Sequence, residues 1–132
     1  MNLERLRERL EEYHRAVLRL KEVLEADVSN PFVYDAAIQR FEFTYELAWK
    51  LMKAYLEYNG IAAVNSPRSA FKEAFAAGLI HDGDGWMAML DDRNLTAHTY
   101  DEQMAMEIYE RIKGKYYARF VDLADGMAEA LK

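Results

Sequence analysis

The first 24 residues carry an unbroken apolar repeat, and this repeat constrains the fold more than any other feature of the sequence. A helix has 3.6 residues per turn, so apolar side chains at steps of three and four share one face. The pattern predicts an amphipathic helix over about 2–26, which must bury that face against other helices. Glu, Arg and Lys fill the other faces, and the apolar positions are Leu3, Leu6, Leu10, Tyr13, Val17, Leu20 and Leu24.

The same spacing predicts a second long helix from about Pro31 to Tyr58. Asn30 or Ser29 can cap its start, and proline suits a first helical position. Asn59-Gly60 marks its end. Its apolar stripe is Ile38, Phe41, Tyr45, Ala48, Met52 and Tyr55.

A shorter third helix is predicted between two local signals. Ser66 is its expected cap, Pro67 lies in its first turn, and Gly78 stops it at about Ala77. The Asp- and Gly-rich stretch 81–85 is predicted to be a turn.

Two more helices follow this turn. One begins near Gly85 or Trp86 and is expected to fray around 96–98. Thr99 and Glu102 have the spacing of a capping box, which opens a last helix running to about Leu131. Gly114 and Gly126 weaken that helix by roughly 1 kcal/mol each relative to alanine.

Three long and two short helices without a strand pattern indicate an all-α protein. Short connections favour antiparallel neighbours, so the expected architecture is an up-and-down helical bundle. The 132 residues suffice for one hydrophobic core, and residues 1–132 are predicted to form a single domain.

Composition excludes several classes of protein. The chain has no cysteine, which removes disulfides, thiolate metal sites and cysteine nucleophiles. The charged start lacks the apolar segment of a signal peptide, and no apolar run approaches the roughly 18 residues of a membrane span. The expectation is a soluble cytoplasmic protein with no membrane partner.

The formal net charge of −6 argues against nonspecific nucleic-acid binding, which depends on neutralising phosphates. An RNA function would need a local basic patch. One candidate patch is Arg68 with Lys72, and the other lies on the last helix. An ordinary solvated surface explains both sets of basic residues equally well. The second comprises Arg111, Lys113, Lys115 and Arg119.

The histidines do not form a metal motif. His14, His81 and His98 are far apart, and none has an HExxH partner. Asp82 resembles the start of a calcium loop, but Arg93 occupies the twelfth position, where the loop needs glutamate. No metal and no cofactor is expected.

Glu42 and Glu46 share a face of the second helix with Lys50. A pair of carboxylates could serve glycoside hydrolysis, but no sugar cleft is indicated. A charged surface stripe is the simpler interpretation. A further interpretation is that one glutamate orients Arg93 from the neighbouring helix.

Arg93, Asn94 and His98 are the residues best suited to chemistry. Histidine can take and give a proton near neutral pH, and the arginine fork holds phosphate oxygens. Together with asparagine as an orienting group, these residue types suffice to cleave RNA without a metal ion. DNA would not react, because it lacks the 2′-hydroxyl that attacks the phosphate. From spacing alone, ordinary roles at a helix end remain the better explanation.

Three blocks of sequence resemble one known family. Residues 93–100 match the R-x4-H-x-Y motif of HEPN domains. In that order along the chain, IQRFEFTYELAWK (38–50), SPRSAFKEAFAAGLI (66–80) and RNLTAHTYDE (93–102) are similar to nucleotidyltransferase substrate-binding proteins, the HEPN half of HEPN–MNT gene pairs. The first and last helices match only as amphipathic helices.

This resemblance implies a helical bundle that forms a dimer or higher homo-oligomer, with the motifs near the interface. It implies a metal-independent ribonuclease toxin that leaves a 2′,3′-cyclic phosphate. Arg93 would then hold the phosphate, His98 would transfer protons and Asn94 would orient the reacting groups.

The resemblance also implies a protein partner, a minimal nucleotidyltransferase that acts as antitoxin and transfers AMP to Tyr100. The alternative is that the chain is a non-catalytic subunit that presents a substrate to that transferase.

Overall fold

The computed structural model describes residues 2–98 and 101–132, without the side chain of His98, and those residues form a bundle of helices with no strand. The all-α prediction is therefore confirmed. The elements are α1 (Leu3–Leu24), α2 (Phe32–Tyr58), α3 (Pro67–Ala76), α4 (Gly83–His98), α5 (Glu102–Arg111), a π-helical segment (Ile112–Tyr116) and α6 (Tyr117–Ala130). None of these helices is long and apolar enough to cross a membrane.

The two longest helices form the frame of the bundle. α1 packs along α2 and also against α6, while α2 contacts α3 and α5. Asn2 caps α1 through a hydrogen bond from the Arg5 amide. Pro31 is the N-cap of α2, so this helix begins one residue later than predicted.

A chain of aromatic rings joins α2, α3, α4 and α6 in the core. The ring of Phe41 stacks on Tyr116 at 5.8 Å and packs near Phe120 at 6.0 Å. Trp86 lies 5.1 Å from Phe71 and 5.8 Å from Phe120, measured between ring centroids. Aromatic pairs bury large areas, so they hold the short helices firmly to the long ones.

The last helix extends nearly as far as predicted, but it is not α-helical throughout. The amide of Tyr117 bonds to the carbonyl of Ile112, five residues back, which defines the π-helical segment around Gly114. One extra residue in a turn shifts the phase of the positions that follow, and such segments often mark functional or strained places. Here the shift leaves both Ile112 and Tyr116 buried.

The start of α4 differs from the prediction because Asp82 caps it. Its Oδ1 accepts a hydrogen bond from the Gly85 amide at 2.9 Å, and its backbone carbonyl accepts one from Trp86. Its Oδ2 lies 2.8 Å from Nη1 of Arg119, and this bond is the main cause that lowers the pKa of Asp82. The predicted turn over 81–85 is thus wrong from Gly83 onward, where the helix already runs.

The other ends of the short helices divide between confirmed and corrected predictions. Ser66 caps α3 as predicted, in a capping box with Ser69. α4 is helical as far as His98, which is the last residue of the range 96–98 over which its fraying is predicted. Asp101 is the N-cap of α5, accepting the amide of Met104 at 2.8 Å, and Glu102 is therefore not the third residue of a capping box. Thr99, the predicted cap, lies outside the described residues.

We expect Gly85→Ala to destabilise the protein and Gly114→Ala to stabilise it. A Cβ at Gly85 would lie 2.3 Å from Oδ2 of Asp82, whereas one at Gly114 would meet nothing within 4 Å. Displacing the Asp82 cap should cost about 1 kcal/mol of unfolding free energy. Gly114→Ala should add about 0.5–1 kcal/mol by reducing the entropy of the unfolded chain.

Urea unfolding monitored by circular dichroism measures both changes. The lowered pKa of Asp82 means that its contribution is present above the ordinary carboxyl pKa and is lost as the pH falls through the lowered value. The deficit of Gly85→Ala should therefore shrink below about pH 4. Equal effects of the two substitutions would contradict the role of Asp82.

Candidate functional site

Arg93 forms an ion pair with Glu42, which connects the end of α4 to the middle of α2. The Nη1 of Arg93 lies 2.9 Å from Oε2 of Glu42, and about a quarter of each side chain is exposed (26% and 30%). The Oγ1 of Thr96 lies 3.0 Å from the same carboxylate and 2.8 Å from the Arg93 carbonyl, so its one proton bonds to one of these two acceptors. The pairing of Arg93 with a glutamate of the second helix, allowed by the sequence, is present.

Glu46 has different partners. Its Oε2 accepts a hydrogen bond from Nε1 of Trp49 at 3.0 Å and lies 4.0 Å from Nζ of Lys50. Both contacts are within α2. Of the two glutamates named as supporting residues, the structure therefore brings Glu42 to Arg93 and leaves Glu46 with its own helix.

Tyr45 lies buried beside this ion pair, and its pKa responds to the charges that surround it. Burial is the largest cause that raises the pKa of Tyr45, and Glu46 and Asp91 raise it further. Arg93 and Arg68 lower it. Because such effects decay with distance, Arg68 of α3 lies close enough to act on the same hydroxyl as Arg93. The sequence had shown Arg68 as a basic residue without connecting it to this site.

Asn94 and His98 both belong to α4, four residues apart. The sequence allowed these two side chains to act together only if the helix between them is unbroken. The backbone of α4 meets this condition. Asn94 is exposed to solvent. The side chain of His98 and the whole of Tyr100 lie outside the described residues.

Asp92 forms a buried cluster behind the site that sequence reasoning did not find. Its carboxylate accepts two hydrogen bonds from Arg111, at 2.7 and 2.9 Å, and one from the hydroxyl of Tyr116 at 2.5 Å. Burial and the hydrogen bond to Asp92 raise the pKa of Tyr116, while Arg111 lowers it, and the bond to Asp92 also raises the pKa of Arg111. The available signal was that Asp92 follows Met89 by three positions and so continues the buried stripe of α4.

Two of the four basic residues on the last helix are offset by carboxylates. Arg111 is held by Asp92, and Arg119 bridges Asp82 at 2.8 Å and Asp122 at 3.1 Å. Lys113 lies 5.9 Å from the ring centre of Tyr109. The two arginines therefore have their charges engaged, while Lys113 and Lys115 form no ion pair among the described residues.

The described part of the chain contains no group of three His, Asp or Glu side chains placed to share a metal ion. His14 lies on α1 and His81 in the connection between α3 and α4, and both are exposed. The resemblance to a calcium loop also ends here, because Asp82 serves as a helix cap.

These observations define a class of protein, namely a helical bundle with a polar site centred on an arginine at the place where α4 meets α2. The model of the family described as nucleotidyltransferase substrate binding protein like matches residues 8–129. The chain belongs to this family, as its three sequence blocks predicted.

Two solved structures share the fold over most of their length. One, from Thermus thermophilus, is 34% identical with a TM-score of 0.74 and covers 91% of this chain and 98% of its own. The other, from Haemophilus influenzae, is described as the fold of a substrate-binding domain of a nucleotidyltransferase. It is 29% identical with a TM-score of 0.68 and covers 96% and 99%.

A curated relative from Haemophilus influenzae carries the name "Probable ribonuclease HepT". It is 45% identical over 80 residues, which are 58% of this chain and 55% of the relative. The matched region thus spans about half the length of that protein.

We expect Asp92→Asn to destabilise the fold, while the neighbouring Asp91→Asn does not. Asparagine keeps the size of the side chain but loses the charge that Arg111 and Tyr116 hold, a loss of about 1.5–3 kcal/mol for charged hydrogen bonds. Asp91 is exposed, so its neutralisation should change stability by less than about 0.5 kcal/mol. Denaturant unfolding of both variants is the measurement, and similar free energies for the two would contradict the anchoring role of Asp92.

Proposed function

We propose that this protein is a metal-independent ribonuclease in which Arg93 binds the scissile phosphate and His98 transfers protons. Asn94 is assigned the role of orienting the reacting groups. The observation that carries the proposal is the placement of Arg93: it is fixed by Glu42, close to solvent, in a helix that continues to His98. The name of the curated relative supports the same chemistry.

The reaction needs a proton acceptor, a proton donor and a cation. A base removes the proton from a ribose 2′-hydroxyl, the 2′-oxygen attacks the adjacent phosphorus, and the bond to the 5′-oxygen breaks as that oxygen receives a proton. The products are a 2′,3′-cyclic phosphate and a free 5′-hydroxyl. Histidine suits the proton transfers because its ordinary pKa is near 6.5. The guanidinium of Arg93 stabilises the charge that grows on the phosphoryl oxygens.

Glu42 affects Arg93 in two ways. It restricts the arginine to one orientation, which favours catalysis because a positioned group loses less entropy on binding. It also offsets the charge of the guanidinium, since a carboxylate 2.9 Å away competes with a phosphate for the same donor. Only Nη1 is engaged by this carboxylate, and Nε is buried without a partner among the described residues, so the donors left for a phosphate are the remaining N–H groups of Nη1 and Nη2.

We further propose that two copies associate beside this site. Phe43 and Leu95 are exposed large apolar side chains (56% and 40%) and directly follow Glu42 and Asn94 in sequence. Exposed apolar residues next to a polar site are typical of a protein interface. A homodimer or higher homo-oligomer would bring two sites together.

The proposed protein partner is a minimal nucleotidyltransferase, which acts as antitoxin by transferring AMP to Tyr100. The family description and the Haemophilus influenzae structure support an association with such an enzyme. An adenylyl group two residues from His98 adds a negative charge and bulk that would oppose RNA binding.

A second candidate function is a non-catalytic subunit that presents a substrate to the transferase. The description of the Haemophilus influenzae structure favours it. The two functions differ in one measurable property, because only the ribonuclease cleaves RNA without the partner.

We expect the purified chain to cleave RNA in the presence of a chelator and to leave 2′,3′-cyclic phosphate ends. His98→Ala, Arg93→Ala and Asn94→Ala should each lower the rate, with about 10²–10⁴-fold for the loss of the proton-transfer group. Product ends are identified by mass spectrometry. In cells, expression of the chain alone should arrest growth, and His98→Ala should relieve the arrest.

Glu46→Gln is the matched control for Glu42→Gln. Both remove one carboxylate from α2, but only Glu42 contacts Arg93, so only its loss should change the cleavage rate. Absence of cleavage by the wild-type chain would favour the non-catalytic subunit. Equal growth arrest by wild type and His98→Ala would exclude the catalytic assignment.

We expect co-expression with the transferase to raise the intact mass of this chain by one or more AMP units. Tyr100→Phe should abolish the increase, since phenylalanine lacks the acceptor hydroxyl, while Tyr58→Phe, an exposed tyrosine on α2, should not. An unchanged mass increase in Tyr100→Phe would assign the modification to another residue.

A further inference from the structure

The charge of Arg93 is partly offset by Glu42, so an RNA strand at this site requires another source of positive charge. Two of the four basic residues of the last helix, Arg111 and Arg119, are paired with Asp92, Asp82 and Asp122. We propose that the exposed face of α3 formed by Arg68, Lys72 and Phe75, called here the α3 face, binds single-stranded RNA that leads into the site. This inference rests on the proposed ribonuclease function and adds how its substrate is held.

The three residues of the α3 face lie on one side of the helix. They occupy positions i, i+4 and i+7, which a 3.6-residue period places in a row. Ala70, Phe71 and Ala74 of the same helix are buried against the core. Arg68 and Lys72 are exposed, and within residues 2–98 and 101–132 neither forms an ion pair with a carboxylate. Their charges are therefore available to a ligand.

The α3 face adjoins α2 and α4, the two helices that hold the Arg93 site. Arg68 and Arg93 both lower the pKa of Tyr45, so both guanidinium groups act on the same hydroxyl. The ring of Tyr45 packs edge-on against Phe71 at 5.8 Å, which fixes α3 to α2 at this point. Nη1 of Arg68 also lies 4.0 Å from Sδ of Met87 in α4. A strand whose phosphate contacts Arg93 can therefore continue past Arg68.

Phe75 supplies a surface for a base at the far end of the α3 face. Its side chain is 52% exposed although it is large and apolar. A Cβ added to Gly83 would lie 3.4 Å from its ring, so the ring rests on the first residue of α4. Met87 and Phe71 line the same groove. Basic side chains followed by an exposed aromatic ring are the arrangement that single-stranded nucleic acids bind, with phosphates on the cations and a base stacked on the ring.

The carboxylates near the groove indicate which part of the RNA strand, a phosphate or a base, binds at each position of the α3 face. Asp84 lines the groove beside Phe75, and Asp82 is occupied by Arg119. A phosphate would be repelled there, whereas an uncharged base would not. The phosphates are thus assigned to Arg68 and Lys72, and a base to the groove at Phe75.

Binding of a fluorescent, unstructured oligoribonucleotide tests the inference, with His98→Ala as the common background to prevent cleavage. Arg68→Gln/Lys72→Gln should weaken binding and reduce the slope of log K against log salt concentration by about 1.4, two phosphates at about 0.7 each. Phe75→Ala should weaken binding roughly 5- to 150-fold, the value of one base–aromatic stack, without changing the slope. Phe75→Trp should restore affinity.

Matched controls separate these effects from net charge and from folding. Arg5→Gln/Arg9→Gln removes two exposed charges four residues apart on α1, and Tyr58→Ala removes an exposed aromatic ring at the end of α2. Both should leave the affinity and the slope nearly unchanged. Circular dichroism and unfolding curves identify any variant whose fold is lost, and Phe75→Leu, which keeps apolar packing without an aromatic face, then replaces Phe75→Ala.

Four outcomes are decisive. Selective loss of RNA binding in the α3 variants supports the inference. Cleavage of RNA by the wild type, with RNA binding unchanged in the α3 variants, overturns the inference while the proposed function stands. Selective loss of transferase binding in the α3 variants also overturns the inference, because the α3 face would then be a protein-docking surface. Absence of both RNA binding and cleavage in the wild type refutes the proposed function itself.

Discussion

The buried carboxylate of Asp92 is the interaction on which the arrangement of the site depends. A charge that is 7% exposed is expensive to bury, and it persists only where hydrogen bonds compensate the loss of water. Arg111 and Tyr116 supply these bonds from the last helix, on either side of the shift that the π-helical segment introduces. Successive helical residues point about 100° apart. A helix that directs Asp92 toward the last helix therefore presents Arg93 to α2, where Glu42 receives it.

The individual ion pairs explain how the excess of acidic residues is used in the fold. Arg111 and Arg119 use their charges to hold α4 in place, Arg119 at the start of the helix through Asp82 and Arg111 in its second half through Asp92. Arg93 is itself restrained by Glu42. Cations that look alike in sequence therefore differ in what they can bind, and Arg68 and Lys72, which form no ion pair among the described residues, lie on a different helix from the motif.

The periodic parts of the chain were the easiest to predict. The apolar repeats of α1 and α2 determine those helices almost to the residue, because many positions contribute to the same pattern. The ends of α4 and α5 were predicted less well. Each is set by one aspartate, Asp82 or Asp101, that competed with other capping signals nearby. The π-helical segment was not foreseen, since a glycine marks a weak point without specifying the hydrogen-bond pattern.

The sequence by itself determined the helical class, the family and the candidate residues Arg93, Asn94, His98 and Tyr100. These follow from local periodicity and from motifs whose members are close in the chain. Only the tertiary structure decided that Glu42 and not Glu46 holds Arg93, that Asp92 anchors the helix, and that Arg68 shares the surroundings of Tyr45. Each of these relations joins different helices, and the packing of side chains in the core sets which faces of two helices meet.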